Sequence, residues 1–113
     1  MKMASLTEEV VFNDKKPAIS VLLETEATKE VRILLKKDQV MAAHKAPYPI
    51  TVAVHKGVID FGVGTTTYLL EPGSLIALEA NVLHDLKARE NSIIRLSLSI
   101  NDKIERVENV STL

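Results

Sequence analysis

Three histidines are the residues of this chain whose chemistry and spacing draw the eye first: His44, His55 and His84. His44 and His55 bracket the stretch HKAPYPITVAVHKG, in which two prolines precede a run of strand-forming residues. His84 follows in NVLHDLKA, 29 positions after His55. Imidazole ligates transition metals and titrates near neutrality, so such residues suit a metal centre, a proton-transfer pair or an anion site. The chain has no cysteine, which excludes thiolate metal sites, disulfide frameworks and cysteine nucleophiles.

A site of this kind needs a rigid frame. At 113 residues, 46% hydrophobic and 26% charged, the chain is large enough to bury one core and has an ordinary globular composition. A net charge of −1 argues against a nucleic-acid surface, which needs a clustered basic face. Two Tyr, two Phe and no Trp leave little for base stacking or aromatic sugar platforms. The opening MKMASLTEEVVF carries acidic residues where a secretory signal has its apolar run, and no segment approaches a membrane-spanning length of about 18 apolar residues. A cytoplasmic protein without membrane contact is therefore expected.

Seven segments read as strands: AISVLLET (18–25), KEVRILLKK (29–37), ITVAVHKG (50–57), VIDFGV (58–63), TTYLL (66–70), SLIAL (74–78) and SIIRLSLSI (92–100). Ile94, Leu96, Leu98 and Ile100 alternate with Arg95, Ser97 and Ser99, the period of a half-buried strand. Ile59, Phe61 and Val63 take the apolar face of their segment. No window of 11 or more residues holds a sustained helical period, although KDQVMAAHKA could make a turn. Gly57 is placed as a hairpin residue, Gly62-Val63-Gly64 leads into the next strand, and Glu71-Pro72-Gly73 suits a type II turn. The mixed clusters Asp14-Lys15-Lys16 and Lys36-Lys37-Asp38 read as solvated turns. Close succession without helical crossovers predicts a mostly antiparallel sandwich or barrel. The tail NDKIERVENVSTL repeats Ile104, Val107 and Val110, which suits an edge strand, a helical turn or a partner contact.

Residues 38 to 88 resemble the two signature motifs of the cupin superfamily. With the closing glycine of the first motif on Gly57, its glutamate position falls on Ile50, its histidines on His44 and Ala46, and its opening glycine on Asp38. In the second motif, starting at Gly73, the proline falls on Glu79, the glycine on Asn81, the histidine on His84 and the asparagine on Ala88. Asparagine is the best non-glycine residue for left-handed backbone, so Asn81 can stand at a glycine position. The resemblance implies an all-β cupin jelly-roll barrel spanning 1–113, with N-terminal strands to 37, the motif-bearing barrel over 38–100 and a tail over 101–113. It also implies a four-ligand metal site, of which only His44 and His84 remain, because Ala46 and Ile50 cannot coordinate. Two imidazoles leave a divalent metal (Fe, Mn, Ni or Zn) held mainly by water, short of the three protein ligands usual at catalytic sites.

Strand parity sorts the other candidates. If Ile50 points inward, Val52 and Val54 share its face, while Thr51, Ala53 and His55 point outward. Tyr48 has the inward parity if its proline-flanked segment stays extended. Asp85 should face solvent beside an inward His84, and Glu79 is expected as a surface carboxylate near the rim. The expected ligand pocket is His44, Ala46, Tyr48, Ile50, Val52 and His84. Three roles stay open for His44 and His84: hydrogen-bonded remnants, a weak or substrate-completed metal site, or metal-free acid–base or ligand-binding duty.

Two function classes follow. One is a metal-free module binding a small, partly apolar molecule with one acidic or carbonyl group; the other is a metal-dependent oxygenase, isomerase or lyase. Acid binding by a protonated histidine should weaken as pH rises through roughly 6 to 7, the ordinary imidazole range. The surplus of aliphatic residues in the two N-terminal strands predicts a homodimer built on them.

Overall fold

The computed structural model describes residues 1–110. Nine strands and one short helix follow in order: β1 (Ala18–Glu24), β2 (Thr28–Leu35), β3 (Val40–His44), β4 (Ile50–Lys56), β5 (Ile59–Val63), β6 (Thr66–Leu70), β7 (Leu75–Leu78), β8 (His84–Ala88), β9 (Ser92–Ser99) and α1 (Ile104–Glu108). They form a five-stranded sheet ordered β1-β2-β9-β4-β7 and a four-stranded sheet ordered β3-β8-β5-β6. Each strand pair is antiparallel. The all-β jelly roll expected from the motifs is thus present, with β6 and β7 at the edges of separate sheets.

Alternation sends one side chain in two to the core. Val52 and Val54 of β4 stand opposite Leu96 and Ile94 of β9, and all four are buried. Ile59 and Phe61 of β5 stand opposite Ala88 and Leu86 of β8, and these too are buried. Burying such a row removes roughly 25 cal/mol per Å² of apolar surface from water, the main source of stability in a two-sheet fold.

Two strands were absent from the seven segments. KDQVMAAHKA holds β3 rather than a turn, and VLHDLKA holds β8, in which His84, Leu86 and Ala88 are buried and Asp85 and Lys87 exposed. Gly57 also differs from expectation. It joins β4 of one sheet to β5 of the other, so it marks a crossing and not a hairpin. An added Cβ there would meet the Ser92 backbone at 2.6 Å, and φ is +93°. The tight hairpin instead sits at Gly64, where Val63 pairs with Thr66. Glu71-Pro72-Gly73 behaves as expected: the Ser74 amide donates to the Glu71 carbonyl at 2.9 Å and Gly73 has φ +94°.

The four glycine positions of the two motifs share one backbone property. Asp38 (φ 74°), Gly57, Gly73 and Asn81 (φ 65°) all lie in the left-handed region. Asp and Asn tolerate it because their short polar side chains bond locally. The motif turns are therefore kept although two of their glycines are gone.

The outer face of the five-stranded sheet is partly covered by the chain itself. Arg32 of β2 donates through Nη1 to the Glu8 carbonyl at 2.7 Å and through Nη2 to the Glu9 carbonyl at 3.2 Å. Lys36 pairs with Asp14, joining the two mixed charge clusters, and Gln39 Nε2 donates to the Asn13 carbonyl at 2.7 Å. Leu34, which shares the face of Arg32, is buried within one chain. Of the exposed large apolar residues in strands, Tyr68, Leu69 and Leu75 lie on edge strands β6 and β7, and Val21 is the one on β1. Part of the aliphatic surplus of the two N-terminal strands is thus covered within the chain, while β1 keeps a sheet edge and the exposed Val21.

The tail takes the helical option among its three. Ile104 and Val107 of α1 and Val110 just beyond it pack on the core, with Val107 fully buried. Residues 111–113, the end of that tail, lie outside the described residues. No helix among the described residues is long and apolar enough to cross a membrane.

Candidate functional site

His44 closes β3, His84 opens β8, and the two are direct partners across the strand pair. Parity alone would not bring both Met41 and His44 inward, since they are three residues apart. The β3–β8 register shifts between them, so that Met41 opposes Leu86 and His44 opposes His84. A bulge of this kind absorbs one extra residue and re-aims the side chains beyond it. The imidazole rings lie 4.2 Å apart at 60°, and Phe61 stacks nearly parallel on His84 at 5.5 Å.

The tautomers follow from the hydrogen bonds. His44 Nδ1 lies 2.7 Å from the Ala42 carbonyl and His84 Nδ1 lies 2.9 Å from the Val82 carbonyl. A carbonyl only accepts, so each Nδ1 carries the proton and each neutral ring keeps its Nε2 lone pair. Burial pushes both imidazoles below their ordinary pKa. The bonds to Ala42 and Val82 oppose this shift, while the Arg106 cation adds to it at both rings. Both are thus neutral at pH 7, and the acid-binding window expected at roughly 6 to 7 moves to lower pH.

The rings line a cavity of about 20 Å³ whose other walls are mainly aliphatic, Ile33, Ile50, Val52 and Leu86 among them. That volume holds about one water molecule. Helix α1 supplies the remaining wall through Arg106 and Val107. Arg106 donates through Nε to Asp102 Oδ1 at 2.8 Å and through Nη2 to Asp102 Oδ2 at 2.7 Å. Its Nη1 reaches the Lys45 carbonyl at 3.4 Å. Asp102 is buried, and its Oδ1 also accepts the Lys103 amide. The site therefore combines two Nε2 acceptors with one fixed cation in apolar surroundings.

Of the expected pocket residues, His44, Ile50, Val52 and His84 line the cavity. Ala46 is buried in the core near them but does not line it, and Tyr48 is 37% exposed and lies away from it. His55 is exposed on the outer face, as parity predicts, and so are Asp85 and Glu79. Arg106 and Val107 were missed as site residues. Their one signal was the spacing of Ile104, Val107 and Val110, which marks an apolar helical face without saying what it covers.

A four-ligand metal site does not fit these residues. The two further ligand positions hold the buried, non-coordinating Ala46 and Ile50, and among the described residues no group of three His, Cys, Asp or Glu side chains comes together. The Arg106 guanidinium on the same cavity opposes a second cation electrostatically.

No family model matches the chain, and no curated protein matches it in sequence. Solved structures do match. An RmlC-like cupin protein from Desulfovibrio desulfuricans superposes with a TM-score of 0.78 at 20% identity, over 88% of this chain and 96% of that one. A conserved protein with a double-stranded β-helix domain from Klebsiella pneumoniae gives 0.78 at 21% identity, over 89% and 87%. KdgF from Halomonas sp. gives 0.71 at 16% identity, over 88% and 94%. At these identities the likeness is one of fold.

Proposed function

We propose that this cupin-fold protein binds a small, partly apolar molecule bearing one acidic or carbonyl group, at His44 and His84, without a tightly held metal. The observation that carries this reading is the convergence of two Nε2 acceptors and the Arg106 cation on an otherwise aliphatic cavity. Few polar groups at fixed positions within apolar walls is the usual make-up of a small-molecule site. Arg106 borders the cavity with its charge shared with Asp102, and the imidazoles accept from a hydroxyl when neutral and donate to a carboxylate or carbonyl through Nε2 once protonated. At about 20 Å³ the cavity admits such a ligand only when one wall withdraws.

Thermal-shift screening of small carboxylates at about pH 5.5 and about pH 8, against their neutral amides, tests this, with the effect expected at the lower pH where the burial-lowered imidazoles begin to take up a proton. Acids are expected to raise the melting temperature of the native protein and to lose that effect in His84→Ala. Equal stabilisation of both proteins would remove the histidine pair from the site.

The alternative reading is an enzyme using a loosely held divalent metal. The Nδ1–carbonyl bonds favour it, since metal-ligating histidines are commonly oriented in this way. Ala46→His with Ile50→Glu would rebuild the four-ligand set, whereas Ile50→Glu alone buries an unpaired carboxylate and should destabilise. Metal affinity of the double variant is expected to exceed that of the native protein steeply. Near-stoichiometric metal surviving EDTA dialysis of the native protein would favour the enzyme reading instead.

A further inference from the structure

We infer that helix α1 is a displaceable plug over the histidine pair, held shut by Val107 and carrying in Arg106 the cation that meets an incoming acid. This rests on the binding reading above for its ligand, but the plug itself is tested without one. Val107 is 2% exposed and lines the cavity with His44 and His84. Removing it from the wall is the change that opens the cavity without disturbing a strand.

The helix is joined to the barrel by little besides burial. Its strongest polar contact, Arg106 with Asp102, reaches the strands only through Asp102, a buried residue that Lys29 of β2 and Ser99 of β9 hold by its backbone. Among the described residues the bonds from the tail to the strands and loops are Lys29 Nζ to the Asp102 carbonyl, the Asp102 amide to the Ser99 carbonyl at 2.9 Å, the Asn101 amide to Ser99 Oγ at 3.2 Å and the long Arg106 contact to Lys45; apart from that last contact, none is made by the helix itself. β9, by contrast, lies between two paired strands along the same sheet. Elements with few buried contacts and few non-local bonds open at lower free energy than central strands. Because Arg106 and Val107 are consecutive, withdrawal of the plug moves the cation as well. Opening and anion recognition are then one event, and apparent affinity scales with the open fraction.

Diethyl pyrocarbonate acylates neutral imidazole, and exposed His55 is a built-in reference for an accessible ring. In the full-length protein at about pH 7, peptide mass spectrometry is expected to show buried His84 reacting at least about tenfold more slowly than His55, with half-buried His44 between them, the His84 ratio reporting the open fraction. Val107→Ala, which shrinks the plug, should speed His44 and His84 by about fivefold or more and leave His55 unchanged. Asp102→Asn, which loosens the helix by another route, should do the same.

Hydrogen exchange separates opening from unfolding. The Asn109 and Val110 amides, bonded at 2.9 and 3.2 Å within the tail, should lose protection in both variants while β9 amides keep theirs. The plug is overturned if His44 and His84 rates do not respond in either variant, or if the tail and β9 lose protection together. A variant that opens while no carboxylate binds defeats the binding reading and leaves the plug standing. A carboxylate that stabilises the native protein with tail protection unchanged defeats the plug and leaves binding standing.

Discussion

The N-terminal segment and helix α1 both pack over the jelly roll with the help of an arginine, and they do it in opposite ways. At the N-terminal end the arginine belongs to the sheet. Arg32 projects from β2 and grips carbonyls of Glu8 and Glu9, so the segment is fastened to the barrel by charge-assisted bonds. At the C-terminal end the arginine belongs to the segment that closes. Arg106 grips Asp102 four residues earlier, and the fastening to the barrel is mostly the burial of Val107 with Ile104 and Val110. A strap bonded to the sheet covers a surface. A helix seated by burial and tethered at Asp102 can swing out about that point, which is what a gate over a cavity requires.

Asp102→Ala should sharpen that contrast most. It leaves Arg106 half-buried without its counter-ion, a loss of about 3 kcal/mol by the usual cost of breaking a buried pair. Urea denaturation is the measurement. The contrast is broken if this change sheds the N-terminal segment to proteolysis before the C-terminal one.

Arg32→Ala should cost about 2 kcal/mol, the range for bonds to a charged donor. Limited proteolysis is expected to cut within residues 1–17 while β1 onward stays intact. Arg32→Lys should recover only part of the loss, because an ammonium cannot span two carbonyls as a planar guanidinium does. Full recovery by lysine would reduce the strap to a charge effect.

The smallest effect is that of pH. His44 and His84 have folded pKa values below the unfolded value of about 6.5, so the folded state binds fewer protons. Their contribution is complete above that value and is lost as pH falls below it towards the folded values. Urea midpoints should therefore drop between about pH 7.5 and 5.5, a range in which unperturbed carboxylates stay ionised. Replacing both histidines by glutamine should flatten that slope. The loss should appear first as exchange in α1, since the protonated rings sit against Arg106, and not at the N-terminal strap. Equal loosening of both ends would break the comparison.

Much of the frame was legible along the chain, since alternation is a local consequence of strand geometry. Ile94, Leu96 and Leu98 are buried together as their spacing has it, while the exposure of His55 and the left-handed backbone of Asn81 followed once the motif resemblance had set Ile50 inward and Asn81 at a glycine position. The strands carrying the histidines were harder to read. β3 and β8 are five residues each, and the bulge in β3 sets Met41 and His44 on one face against the period of two. A bulge is a property of a strand pair, so parity within one strand cannot show it.

Residue identity by itself determined that His44 and His84 offer donor atoms while Ala46 and Ile50 have nothing to coordinate with, because donor atoms are a matter of composition. Only the tertiary structure decided what stands against the pair. Arg106 and Val107 are at least 22 positions from either histidine and reach the cavity because the jelly roll leaves an opening that the apolar face of α1 can bury. Which opening an apolar face covers depends on non-local burial free energy summed over the fold, and no local spacing encodes it.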